Sequence, residues 1–192
     1  MDRLIQRFKR AHKMRYDSYV ADYNEATGSR VGVKIKELEP FDDIECFRLQ
    51  RGRHEVPYYA INLEEHAAFI KHMPSCECFF VSAGRCEKPW LLLLELKYCK
   101  AKNLPLHASK AVHQMTSVLR KLDDEGLVNP RRFRIYFNYS SPGNNVRQPF
   151  THFMHTPADA LDLLDRYDAY FLGFNHLIIA GPQYIRAPKM RI

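Results

Sequence analysis

No long apolar run interrupts this chain of 192 residues. The most hydrophobic stretch, WLLLLEL at 90–96, is far shorter than the roughly 20 apolar residues that a helix needs to cross a bilayer. A membrane is therefore not expected as a partner. Residue 2 is already charged and no apolar segment follows it, which predicts no secretory leader. Cysteine is scarce and odd in number, five in all, which argues against a disulfide framework and predicts reduced thiols in a cytoplasmic protein. The chain has no G-x-G-x-x-G, no P-loop, no G-x-S-x-G and no H-E-x-x-H. Dinucleotide enzymes, NTPases, serine hydrolases and zinc proteases thus lack their usual signatures. The H-x-x-H of THFMH (151–155) has helix-like spacing but falls in an expected loop. Glycine and proline are scattered, and no internal repeat is present.

What is there suits one folded domain: 46% of residues are hydrophobic and 12% aromatic. The net charge of +7 favours an anionic partner, nucleic acid first, over ordinary solubility charge. The excess is uneven. RLIQRFKRAHKMR (3–15) carries Arg3, Arg7, Lys9, Arg10, Lys13 and Arg15 without an acid, and the tail adds Arg186, Lys189 and Arg191.

Apolar recurrence at Leu4, Ile5, Phe8, Ala11 and Met14 predicts a helix over 2–24, so residues 1–30 read as a basic helical arm and 31–192 as one α/β domain. Strands are expected at 31–41 and 46–52, and a helix at 62–73 capped by Asn62. CECFFVSA (76–83) and WLLLLELKYC (90–99) read as a hairpin. The leucines fall on both faces of the second strand, which places it mid-sheet with cover on each side. A helix follows at 107–126, ending at Gly126, then a strand at 131–140, a helix at 156–168 and final strands within 169–181. The layout is α/β, with a mixed central β-sheet flanked by helices.

Within that leucine strand, Glu95 and Lys97 point one way while Leu94 and Leu96 point the other. Unpaired buried charge costs several kcal/mol, so this placement asks for a reason. A carboxylate and an ammonium in a cleft at the sheet's end suit a hard divalent cation: the carboxylate holds the ion, and the ammonium positions a bound water or neutralises a phosphate. A second carboxylate is needed. Glu77 is the sole acid of the partner strand and sits where it can face Glu95, while Cys76 and Cys78 point the other way.

The order of an acid, a hairpin, a hydrophobic E-x-K strand and a helix resembles the core of the PD-(D/E)XK nuclease superfamily, over roughly residues 75 to 122. The resemblance implies a restriction-endonuclease-like fold. It implies Mg²⁺ or Mn²⁺ held by Glu77, Glu95 and the backbone carbonyl of Leu96, with Lys97 supporting the attacking water. It assigns Gln114, on the helix after the strand, to the site, and it raises Glu55, Glu64 or Glu65 as an upstream glutamate. Glu77 stands where the family usually has Asp, one methylene shorter.

The expectation is a metal-dependent nuclease with Glu77, Glu95, Lys97 and Gln114 as catalytic residues. It would act on DNA before RNA, alone, as a homodimer or beside a partner protein. Its basic arm would hold phosphates without reading sequence. The competing expectation is a non-catalytic nucleic-acid-binding or protein-interaction module on the same fold. The bland alternatives also stand: an ordinary cross-strand ion pair at Glu95 and Lys97, an edge acid at Glu77, surface polarity at Gln114, or an unrelated α/β protein with a fortuitous E-x-K.

Overall fold

The computed structural model describes residues 2–53, 55–144, 148–150 and 165–189. Helix α1 (Asp2–Arg7) leads into strands β1 (His12–Met14) and β2 (Ser18–Asp22) and the short helix α2 (Tyr23–Thr27). Strands β3 (Val33–Glu37), β4 (Phe47–Arg51) and β5 (Tyr58–Asn62) follow, then a 3-10 turn at Leu63–His66 that runs into α3 (Ala67–Ile70). Next come β6 (Cys78–Ser82), β7 (Trp90–Leu96), the long helix α4 (Leu104–Asp124) and β8 (Arg134–Ser140). Strands β9 (Tyr170–Leu172), β10 (His176–Ile179) and β11 (Ile185–Arg186) complete the described chain.

Among the described residues the strands form two sheets. The larger has the order β1-β5-β6-β7-β8-β9. It is antiparallel from β1 to β7 and parallel from β7 through β9. A parallel neighbour needs a crossover, and α4 supplies it between β7 and β8. The smaller sheet has the order β11-β10-β4-β2-β3, in which β10 and β4 are parallel.

The alternation within β7 assigns its two faces. Leu91 and Leu93 join Phe79, Ile135 and Phe137 against Ala111, Met115 and Leu119 of α4. Trp90, Leu92, Leu94 and Leu96 join Phe80 and Tyr58 against Val20, Phe47, Leu49 and Leu177 of the smaller sheet. The molecule therefore has three layers: helix, sheet, sheet. Every residue of β7 is buried. The mixed α/β sheet with a doubly covered leucine strand was expected. Flanking helices were expected too, but only one face has a helical cover, and the second cover is a sheet.

The largest departure is near the N-terminus. The helix expected over 2–24 stops at Arg7, and residues 12–14 and 18–22 are strands. The apolar positions that suggested one stripe serve two cores. Leu4 and Phe8 pack on the α4 side, whereas Met14 packs between the sheets. Residues Ser18–Asp22 are buried along their whole length between β3 and β4, so ladder pairing outweighs local helical periodicity. Strand β5 was not expected at all, because YYAIN is five residues behind a proline. Helix α4 matches its pattern: Pro105 sits in the first turn, where the missing N–H costs nothing, and Gly126 ends it at φ +63° with its N–H on the Asp123 carbonyl (2.8 Å). Of the helix expected over 156–168, residues 165–167 are helical, Asp168 leaves the helix at φ +51°, and 156–164 lie outside the described residues, as do the H-x-x-H at 151–155 and Arg191.

Leu93 is fully buried, whereas Leu106 on α4 is 76% exposed. Leu93→Ala is expected to lower unfolding free energy by about 3 kcal/mol, and Leu106→Ala by under ~0.5 kcal/mol, as read by urea unfolding.

Candidate active site

Three elements meet at the end of β7. The ladder pairs Phe79 with Leu93 and Cys78 with Leu94, and one further step sets Glu77 against Glu95. Glu77 itself lies just ahead of β6, with its carbonyl accepting from the Leu63 N–H (3.0 Å). Lys97 follows β7 directly. Its N–H donates to the Ser140 carbonyl (2.9 Å), and its own carbonyl accepts from Ser141 Oγ (2.6 Å). Asn175 fixes those serines: its Oδ1 accepts from Ser140 Oγ and the Ser141 N–H, and its Nδ2 donates to the Ser141 carbonyl. The end of β8 thereby clamps the backbone that carries the lysine.

The side chains converge. Lys97 Nζ lies 2.7 Å from Glu95 Oε1 and 3.7 Å from Glu77 Oε1. Glu77 Oε2 accepts from the Leu96 N–H at 2.9 Å. A third carboxylate, not singled out from the sequence, completes the group: Glu25 Oε1 lies 3.7 Å from Lys97 Nζ. Glu25 is held there by α2. Asp22 Oδ1 caps that helix by accepting from the Glu25 N–H (3.1 Å), and Gly28 closes it in the left-handed conformation. The D-Y-N-E spacing is a capping signature, and that signal was available in the sequence. Nothing local revealed that α2 would fold back onto β7.

The upstream glutamates considered from the sequence go elsewhere, Glu65 lying exposed on the 3-10 turn ahead of α3. Glu64 accepts from the Val33 N–H, and Glu55 is an exposed partner of Arg51. Gln114 reaches the segment that carries Glu77 and not the carboxylates: its Nε2 donates to the Ser75 carbonyl (2.8 Å), and its Oε1 is buried without a hydrogen-bond partner. Cys76 and Cys78 do not point the same way, because residue 76 precedes the strand. Cys76 lies in the core under α4 and Cys78 in the core between the sheets.

Burial governs the electrostatics. Side-chain exposure is 0% for Glu95, 5% for Lys97 and 8% for Glu77, against 36% for Glu25. Desolvation raises the Glu77 carboxyl well above the usual range, and the Glu95 charge adds to it. Desolvation likewise raises Glu95, against the pull of Lys97. Burial alone would lower Lys97, but Glu77, Glu95 and Glu25 together lift it above its ordinary value. Glu95 Oε2 has no donor against it, and the Glu77 carboxyl can supply one only when protonated. The Lys97 ammonium offsets the charge of one of the two buried carboxylates and leaves Glu95 Oε2 without a donor.

Among the described residues no three of His, Cys, Asp and Glu are grouped at metal-ligating spacing. The complement here is two buried carboxylates and one buried carboxylate oxygen without a donor. That number of carboxylates is the one magnesium ordinarily takes from a protein. No protein-family model, curated protein or solved structure matches the chain.

Lys97→Met is expected to expose the cost of the two acids. Without the ammonium their folded pKa values rise further above the unfolded value of about 4.3. A raised carboxyl stabilises the fold fully below the unfolded pKa and loses that contribution as pH rises through the folded one. The deficit of the variant is therefore small at pH 4–5 and grows to about 3 kcal/mol at pH 8, measured by denaturant unfolding across that range.

Proposed function

We propose that this protein is a metal-dependent nuclease of the restriction-endonuclease-like, PD-(D/E)XK type, hydrolysing phosphodiester bonds with DNA as the preferred substrate. The observation that carries the reading is the meeting of Glu77, Glu95 and Lys97 at one sheet end, with Lys97 Nζ within 4 Å of both carboxylates. Two further features support it. A three-strand antiparallel run, β5-β6-β7, leads through α4 to β8, parallel to β7, which suits the acid–hairpin–E-x-K–helix order. Glu25 supplies an acid from an upstream helix.

Glu77, Glu95 and the Leu96 carbonyl would hold Mg²⁺ or Mn²⁺. The Leu96 N–H points toward Glu77, and in a strand a residue's N–H and C=O point to the same side, so that carbonyl faces the acids. When bound, the ion supplies Lewis-acid activation of water and neutralises phosphate charge. Lys97 orients the water and stabilises charge developing on the phosphate. Glu25, the most exposed of the acids, marks the side from which substrate and ion enter. Gln114 positions Glu77 through Ser75. Arg3, Lys9, Arg10, Lys13 and Arg15 hold backbone phosphates, while Arg7 is engaged with Glu125 (3.1 Å).

The second reading, a non-catalytic binding module on the same fold, draws on one observation: Lys97 is enclosed by acids and shielded from solvent, a closed structural cluster.

Incubation with plasmid and single-stranded DNA decides between them. Cleavage is expected with Mg²⁺ or Mn²⁺ and none with EDTA, and Lys97→Ala or Glu95→Ala is expected to lower it at least about 100-fold. An inactive wild type, or variants as active as it is, removes the nuclease reading. Mn²⁺ binding by calorimetry is expected to strengthen from pH 6 to pH 8, because the ion competes with protons on raised carboxyls, and to be lost in Glu95→Gln.

A further inference from the structure

One group of cations lies at the end of the molecule away from these carboxylates. Trp90 and Glu95 stand toward opposite ends of β7, roughly 17 Å apart at about 3.3 Å per strand residue. The turn between β10 and β11 packs on Trp90: the Trp90 indole N–H donates to the Gly181 carbonyl (3.1 Å) and its backbone N–H to the Pro182 carbonyl (3.4 Å). Two open clefts flank this turn. One, about 520 Å³, is lined by Arg51, Arg53, Arg186 and Lys189 beside Ala180. The other, about 590 Å³, is lined by Lys88, Arg131, Arg132 and Arg134 beside Gln183.

Arg51 is paired with Glu55 and Lys88 with Asp168. Among the described residues Arg53, Arg131, Arg132, Arg134, Arg186 and Lys189 have no carboxylate within 4 Å, and Glu87 is the acid in the linings of the two clefts. Aromatic rings lie among these charges. Tyr184 is 47% exposed and Tyr170 39%. The Arg134 guanidinium sits between them, 4.3 Å from the Tyr184 centroid and 5.5 Å from that of Tyr170. Spaced guanidinium groups with exposed rings between them fit a backbone of phosphates with unstacked bases. A duplex hides its base faces, and an acidic peptide has no use for the rings.

We propose that this cationic end binds single-stranded nucleic acid, with phosphates on Arg131, Arg132, Arg186 and Lys189 and a base stacked on Tyr184. The inference rests on nucleic acid being the ligand in the reading above, but not on hydrolysis. It places a strand-holding surface roughly 17 Å from Glu95, so the strand would be gripped at one end of the sheet and presented at the other.

The test is fluorescence anisotropy with a labelled 20-nucleotide oligothymidylate in EDTA, where no metal-dependent cleavage occurs. Wild type is expected to bind this strand more tightly than a duplex of equal length. Arg131→Ala/Arg132→Ala/Arg186→Ala is expected to weaken binding at least about tenfold at 0.1 M salt and to flatten the salt dependence by about two, at roughly 0.7 per lost phosphate contact. Tyr184→Leu is expected to weaken the single strand about fivefold or more and leave the duplex unchanged. Binding is read without metal and cleavage with it, so a failed nuclease reading and a failed surface give different results. Thermal melting checks that each variant is folded, and if the triple variant melts early, Arg132→Glu alone is expected to weaken binding about threefold or more and to flatten the salt dependence by about 0.7. The proposal is overturned if the cation variants bind within twofold of wild type, if Tyr184→Leu is silent, or if duplex or an oligoglutamate of equal charge binds as well as the strand.

Discussion

Lys97 Nζ lies within 4 Å of three carboxylates, two of them buried. Charge in that position is tolerable only where the partners are held together, because water cannot reach in to compensate a loosened pair. The surrounding structure meets this requirement from several directions. The ladder of β6 and β7 sets Glu77 against Glu95. The serines at the end of β8, themselves held by Asn175, grip the Lys97 backbone. Helix α2 delivers Glu25, and Gln114 ties the approach to Glu77 onto α4. The hydrophobic layers on both faces of β7 are what make the strand stiff enough to hold its charged end in place.

That arrangement gives the molecule a polarity along its strands. Acids collect at the C-terminal end of β7, and guanidinium groups collect near its N-terminal end, around the turn that packs on Trp90. The net charge of +7 is thus not spread evenly over the fold. A polyanion approaching such a surface is drawn toward the cationic end.

Much of the centre was readable before the structure. A run of leucines on both faces of one strand implies double cover, and the same alternation that buries Leu91 and Leu93 sends Glu95 and Lys97 to a shared face. The hairpin spacing brought Glu77 opposite, and the stripe Ala111, Met115, Leu119 marked α4. Local pattern was enough there because each element's partner is its neighbour in the chain. It failed where partners are distant. Residues 12–14 and 18–22 look helical by spacing but are strands, since β1 pairs with β5 and β2 lies between β3 and β4. Glu25 looked like part of a basic arm.

The sequence by itself determined which strand is central, which of its faces carries charge and which acid stands across from it, because strand periodicity and hairpin register are local properties. Only the tertiary structure decided that a second sheet, and not a helix, covers the other face. It also decided that Glu25 joins Lys97, and that Arg131, Arg132 and Arg186 share one end with Tyr184. Those pairings bring together residues tens of positions apart, and nothing in the spacing of side chains along the chain encodes a distance of that kind.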